Sequence, residues 1–183
     1  MSFYRNGTLL LAAFLLSAPA SHAETAEQDP SKIDLAKLIE CTTYDVPSYN
    51  NFALWLTGPE STKAMKQLGA SELPSDNPFL REFQLSTPVT VFGRRTNRIV
   101  FTSTGPLAVF DEANPFPLAK QLDVTASIDQ PNKFLGEKVI LSHKDQQANS
   151  DTVLETRILL SVSTVDTHPG KTLAGCSYSI EVE

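Results

Sequence analysis

Up to Leu68 the apolar residues of this chain recur at helical spacing, and after Phe79 they alternate at the spacing of a strand. The order of the two periods restricts the fold more than any other feature. Helices that cluster before the strands cannot supply the crossovers of a doubly wound parallel sheet, which needs the two to alternate. No repeat of fixed period appears either.

The helical grammar is complete at both ends of each segment. Asp29 and Pro30 can open a first helix, along which Leu35, Leu38 and Ile39 recur up to Cys41. Pro47 opens a second, with Tyr49, Phe52, Trp55 and Leu56 along one face and Gly58-Pro59 at its end. A third is expected from Pro59 to Leu68, with Ala64, Met65 and Leu68 inward and Gly69 as its stop. Residues 70 to 78 read as a loop rich in Ser, Pro, Asp and Asn.

Beyond the loop, Phe83, Leu85, Val89 and Val91 alternate with polar neighbours, and Pro88 demotes this strand to an edge or a bulge. A turn is expected over Gly93 to Asn97, then strands over Arg98 to Thr102 and Leu107 to Phe110. Asn114 to Leu122 reads as a helix, although Leu122, Val124, Ala126 and Ile128 also alternate as a strand would. Lys138 to His143 reads as a buried-type strand, Asp145 to Asp151 as a polar turn and Thr152 to Val165 as a long strand. In the last strand Cys176, Tyr178, Ile180 and Val182 face one way and Ser177, Ser179, Glu181 and Glu183 the other.

The expected fold class is α+β, with the N-terminal helices of residues 29–69 packed on one face of a mainly antiparallel β-sheet built from residues 79–183. The alternative is an all-β sandwich with a helical appendage. A length of 183 residues, 41% of them hydrophobic and 20% charged, suits a single globular domain over residues 24–183 and excludes a disordered chain.

Residues 1–23 have the form of a secretory signal peptide. Arg5 precedes the apolar run Leu9 to Leu16, and Ser21-His22-Ala23 places small residues at the cleavage positions. The run is about half the ~20 residues that span a bilayer, so no integral membrane segment is expected once it is removed. The expected location is periplasmic or secreted. Losing Arg5 leaves 14 basic against 21 acidic side chains, so the net charge moves from −6 to −7. Such a chain repels polyanions, which excludes nucleic acid as a partner. In an oxidising compartment the two cysteines, Cys41 and Cys176, pair most simply as one disulfide joining the start of the domain to its end.

No motif assigns catalytic residues, a metal or a cofactor: Gly-x-Ser-x-Gly, a P-loop, Gly-x-Gly-x-x-Gly and Cys-x-x-Cys are all absent. His143 and His168 read as surface residues near opposite ends of a long strand, too far apart to share an ion. Ser103 or Ser163 with His168 is the only nucleophile combination to suggest itself. Glu82, Asp111, Glu112, Asp123 and Glu137 read as solvated surface. The phenylalanines from Phe79 to Phe134 read mostly as core.

Two local concentrations point to a partner. Arg94, Arg95 and Arg98 gather at an expected hairpin tip of an acidic protein, and their planar forks suit an acidic protein loop or a phosphorylated envelope glycolipid. Tyr44 and Tyr49 flank a loop and suit contact anchors. The functional expectation is therefore an exported, non-catalytic binding protein that engages another protein, in the manner of an inhibitor or immunity protein. One alternative is a binder of a small apolar or envelope-derived ligand held between helices and sheet. Another is a hydrolase with dispersed catalytic residues, recognisable by a histidine that meets a carboxylate and a hydroxyl within hydrogen-bond reach.

Overall fold

Three aspartates start the N-terminal segment, each by accepting a backbone N–H that no helical carbonyl can reach. Asp29 accepts from Ser31 and starts a single 3-10 turn, Pro30–Lys32. Asp34 accepts from Ala36 and Lys37 and starts α1, Leu35–Ile39. Asp45 accepts from Ser48 and starts α2, Val46–Thr57, with Pro47 in its first turn. The single helix expected from Asp29 to Cys41 is thus two short pieces, separated at Ile33 and Asp34 by extended backbone. Helix α3, Ser61–Leu68, stops at Gly69, whose φ of 62° is left-handed.

The computed structural model describes residues 28–75, 77–147 and 150–182, and the expected leader, Met1 to Ala23, lies outside them. The remaining elements are β1 (Ala70–Leu73), β2 (Arg81–Val91), β3 (Arg94–Phe101), β4 (Pro106–Phe110), α4 (Phe116–Leu122), β5 (Thr125–Gln130), β6 (Lys133–Gln146), β7 (Val153–Ser163) and β8 (Thr172–Val182). The strands form one antiparallel sheet in the order β1-β2-β3-β4-β8-β7-β6-β5. The molecule is α+β, with more strand than helix.

Several boundaries differ from the sequence expectations. Residues 70–73 form a strand, because Ala70 to Leu73 pair with Leu85 to Glu82 of β2 and backbone pairing needs no apolar alternation. The β2–β3 turn is the pair Phe92-Gly93, both at positive φ (54° and 75°), and not Gly93 to Asn97. Phe92 holds this conformation because its ring is buried and its N–H donates to Glu40 Oε1 at 2.7 Å. Pro88 falls in the irregular stretch between Gln84 and Val89, where the β2–β3 register shifts. Residues 125–130 are a strand, following the alternation that competed with the helix reading. Lys138 to His143 belong to a strand, but Val139, Ile140 and Leu141 are exposed, so it is not of the buried type. Of the phenylalanines, Phe79 and Phe116 are exposed and the others named are core.

Register assigns the faces. Phe83, Ile99, Ala108, Ala174 and Val162 lie side by side across β2, β3, β4, β8 and β7. All five belong to the main core cluster, together with Leu38 and Ile39 of α1 and Phe52, Trp55 and Leu56 of α2. Four contacts fasten this side. Cys41 is disulfide-bonded to Cys176, the Tyr178 hydroxyl donates to Leu38 O at 2.8 Å, Tyr49 stacks on Tyr178, and Phe52 packs on Phe101 at 6.0 Å between centroids. The opposite face carries Glu82, Arg98, Val100, Leu107, Val109 and Leu173, of which Val100, Val109 and Leu173 form a second, smaller cluster.

Candidate functional site

Strand alternation sends Glu82 to the face opposite Phe83, beside the small cluster of Val100, Val109 and Leu173. There it is 8% exposed, and a carboxylate removed from water needs partners. It has two. Arg98 of β3 donates to Glu82 Oε1 through Nε at 2.7 Å and again through its terminal nitrogen. His168, from the loop between β7 and β8, places Nε2 3.3 Å from Glu82 Oε2. The other ring nitrogen, Nδ1, lies 2.9 Å from the hydroxyl of Thr167.

His168 is only 7% exposed, and Glu82 is buried with it, so neither is the solvated surface residue that sequence reading expects. Two cavities meet at His168. The smaller, of about 210 Å³, is lined by Ser75, Asn77, Leu80, Glu82, Thr167 and His168, among others. The larger, an open cleft of about 590 Å³, lies between α4 and the β7–β8 loop, where the half-exposed Phe116 ring meets Phe134 edge-on.

The three arginines have separate fates. Arg94 donates through Nε to Glu112 at 3.0 Å and through a terminal nitrogen to Gln121 Oε1 at 2.6 Å. Arg98 is held by the buried Glu82. Arg95 is exposed and has no hydrogen-bond or ion-pair partner among the described residues. The turn itself does not project: Phe92 is buried, and its carbonyl accepts from the Gln121 side chain at 2.9 Å. Tyr49 is buried, donating to Thr102 O at 3.1 Å, and is no exposed anchor. Tyr44 is half-buried, and its hydroxyl accepts the Asp34 N–H at 2.8 Å.

His143 lies on β6 opposite Thr156, and its Nε2 is 3.0 Å from its own neighbour Asp145. It takes no part in the His168 site. Among the described residues no three His, Cys, Asp or Glu side chains gather as a metal site, and no helix is long and apolar enough to cross a membrane. Ser103 and Ser163 are not in hydrogen-bond contact with His168. The hydroxyl that meets this imidazole is that of Thr167, which no motif in the sequence marks out.

Comparison with known proteins adds no constraint: no family model matches the chain, and no curated protein or solved structure is significantly similar to it.

Proposed function

We propose that the chain is an exported binding protein that engages another protein, as an inhibitor or immunity protein would, through the uncovered end of β6, β7 and β8. One observation carries this reading. Val139, Ile140 and Leu141 of β6 are 56%, 42% and 43% exposed, and Ile180 and Val182 of β8 are 52% and 73% exposed. By register, Leu141, Ile180 and Val182 share the face of Cys176 and Tyr178 and lie beyond the stretch that Leu38 and Tyr49 cover. Strand β5 pairs with β6 only over Lys133 to Glu137, so no described strand occupies the outer edge of β6 from Lys138 to Gln146. Exposed apolar side chains on one face beside an unpaired strand edge are the form of a surface that receives a partner.

Export is supported by the Cys41–Cys176 disulfide, which persists in an oxidising compartment such as the periplasm or the exterior. In this reading the N-terminal helices are a cap that seals the rest of the same face. The arginine turn contributes at most Arg95, because Arg94 and Arg98 are engaged within the fold.

The test uses immobilised wild-type protein and the variant L141K/I180K, each exposed to the native envelope fraction. A protein retained by the first and lost by the second, with Kd raised at least ~10-fold when remeasured with the purified partner, is the expected result. Equal retention by both overturns the assignment of the surface. A lipid retained in place of a protein supports the small-ligand alternative, for which the 590 Å³ cleft beside Phe116 and Phe134 is the candidate seat.

A further inference from the structure

Beyond partner binding, we propose that Thr167, His168 and Glu82 form an acyl-transfer relay, opening onto the 210 Å³ cavity, that accepts short-chain O-acyl esters. The residues come from two distant parts of the chain, yet they stand in line: hydroxyl, imidazole, carboxylate, at 2.9 Å and 3.3 Å. This is the geometry that nucleophilic catalysis requires of a nucleophile, a base and the group that orients the base.

The hydrogen-bond inventory fixes the roles. Arg98 donates to Glu82 Oε1, and a carboxylate paired with a guanidinium only accepts. In the neutral imidazole Nε2 must therefore carry the hydrogen that faces Glu82 Oε2. Nδ1 is left with a lone pair directed at Thr167 Oγ1, so the hydroxyl donates to it. Thr167 is exposed while His168 and Glu82 are buried, so the nucleophile is within a substrate's reach and the base is shielded from solvent.

The cavity supplies a donor for the oxyanion. Asn77 lines it, and its Oδ1 is occupied by the Phe79 N–H at 3.0 Å. Its amide N–H groups have no partner among the described residues. Leu80, Val100 and Pro74 give part of the lining an apolar character, and a volume of about 210 Å³ suits a short acyl chain, acetyl to butyryl.

In the step itself, the Thr167 oxygen adds to the ester carbonyl carbon while its proton passes to His168 Nδ1, and the negative carbonyl oxygen faces the Asn77 amide. As the C–O bond to the alcohol breaks, Nδ1 returns the proton to the departing oxygen and leaves an acyl ester on Thr167. Water, giving a proton to the same nitrogen, then adds to the acyl carbon; as the bond from that carbon to Thr167 Oγ1 breaks, Nδ1 returns the proton to Oγ1 and the carboxylic acid leaves. Glu82 is a positioning residue throughout and touches no substrate.

The test is hydrolysis of p-nitrophenyl acetate and p-nitrophenyl butyrate by the disulfide-bonded protein, with mass spectrometry of the quenched reaction. Wild type is expected to release p-nitrophenol in a burst and to carry one acyl group on the peptide containing Thr167. T167V should lose both with an unchanged melting temperature, and T167S should keep them. E82Q should slow acylation ~10²-fold or more at an unchanged half-saturating ester concentration, a split that loss of fold would not produce. Acyl groups found only on lysines or on His168, or a burst that survives T167V, overturn the relay. None of these variants touches the β6–β8 surface, so failure here leaves the partner-binding proposal standing, and the converse holds for L141K/I180K.

Discussion

Tyr49 of α2 lies nearly flat on Tyr178 of β8, with ring centroids 5.2 Å apart and planes 12° from parallel. Burial pushes the Tyr49 hydroxyl up to about 12, and it raises that of Tyr178 too, with the nearby Tyr44, Asp45 and Tyr49 adding to the shift. In the unfolded chain both phenols ionise near 10. The unfolded state thus loses protons first, so stability is intact below about pH 10 and falls as pH rises toward 12. Denaturant titrations at stepped alkaline pH should show this loss, and Y178F should show a smaller one. At neutral pH Y178F should cost about 1 kcal/mol through the lost bond to Leu38 O.

The disulfide closes a span of 135 residues between Cα atoms 5.3 Å apart. In the chain-entropy model a loop of that size is worth up to about 5 kcal/mol. The double variant C41S/C176S should lose roughly 3 to 5 kcal/mol in urea unfolding. A loss below about 1 kcal/mol would show that the unfolded chain already holds its ends together.

Gly105 and Gly93 should respond differently to the same substitution. A Cβ on Gly105 would fall 1.7 Å from Cys176 O, a backbone atom of a central strand that cannot give way. A Cβ on Gly93 meets nothing within 4 Å, and only its φ of 75° opposes alanine. G105A should cost ~3 kcal/mol or more, and G93A about 1 kcal/mol, measured as shifts in thermal midpoint.

Arginine replacements should also separate. R98Q leaves Glu82 buried with His168 as its one remaining side-chain partner among the described residues, and should cost about 2 to 4 kcal/mol. R95Q, at an exposed position without a partner, should stay within about 0.5 kcal/mol of wild type. Equal effects would mean that the Glu82 ion pair contributes nothing net.

What the sequence made legible was local. The start of α2 near Pro47, the stop of α3 at Gly69, the broad α+β class and the alternation of the last strand follow from proline, glycine and period, whereas α3 begins at Ser61, two residues after the expected Pro59 and without a side-chain cap. The cysteine pairing follows from their number. The His168 site stayed hidden because it depends on register. The two-residue turn at Phe92-Gly93 and the irregularity between Gln84 and Val89 together decide that Glu82 faces Val100, within reach of Arg98. His168 then arrives from a loop with no period to read. The β6 surface was hidden for another reason. Val139, Ile140 and Leu141 are the residues a buried strand would use, and nothing in their identity reveals that pairing with β5 stops at Glu137.

The eighth strand in sequence sits in the middle of the sheet, between β4 and β7. Synthesis therefore delivers the central plank after both flanks. Without it, nothing would join β4 to β7, and each would keep an unpaired hydrogen-bonding margin. A chain arrested before Thr172 would be caught in that open state, prone to clump or to be degraded.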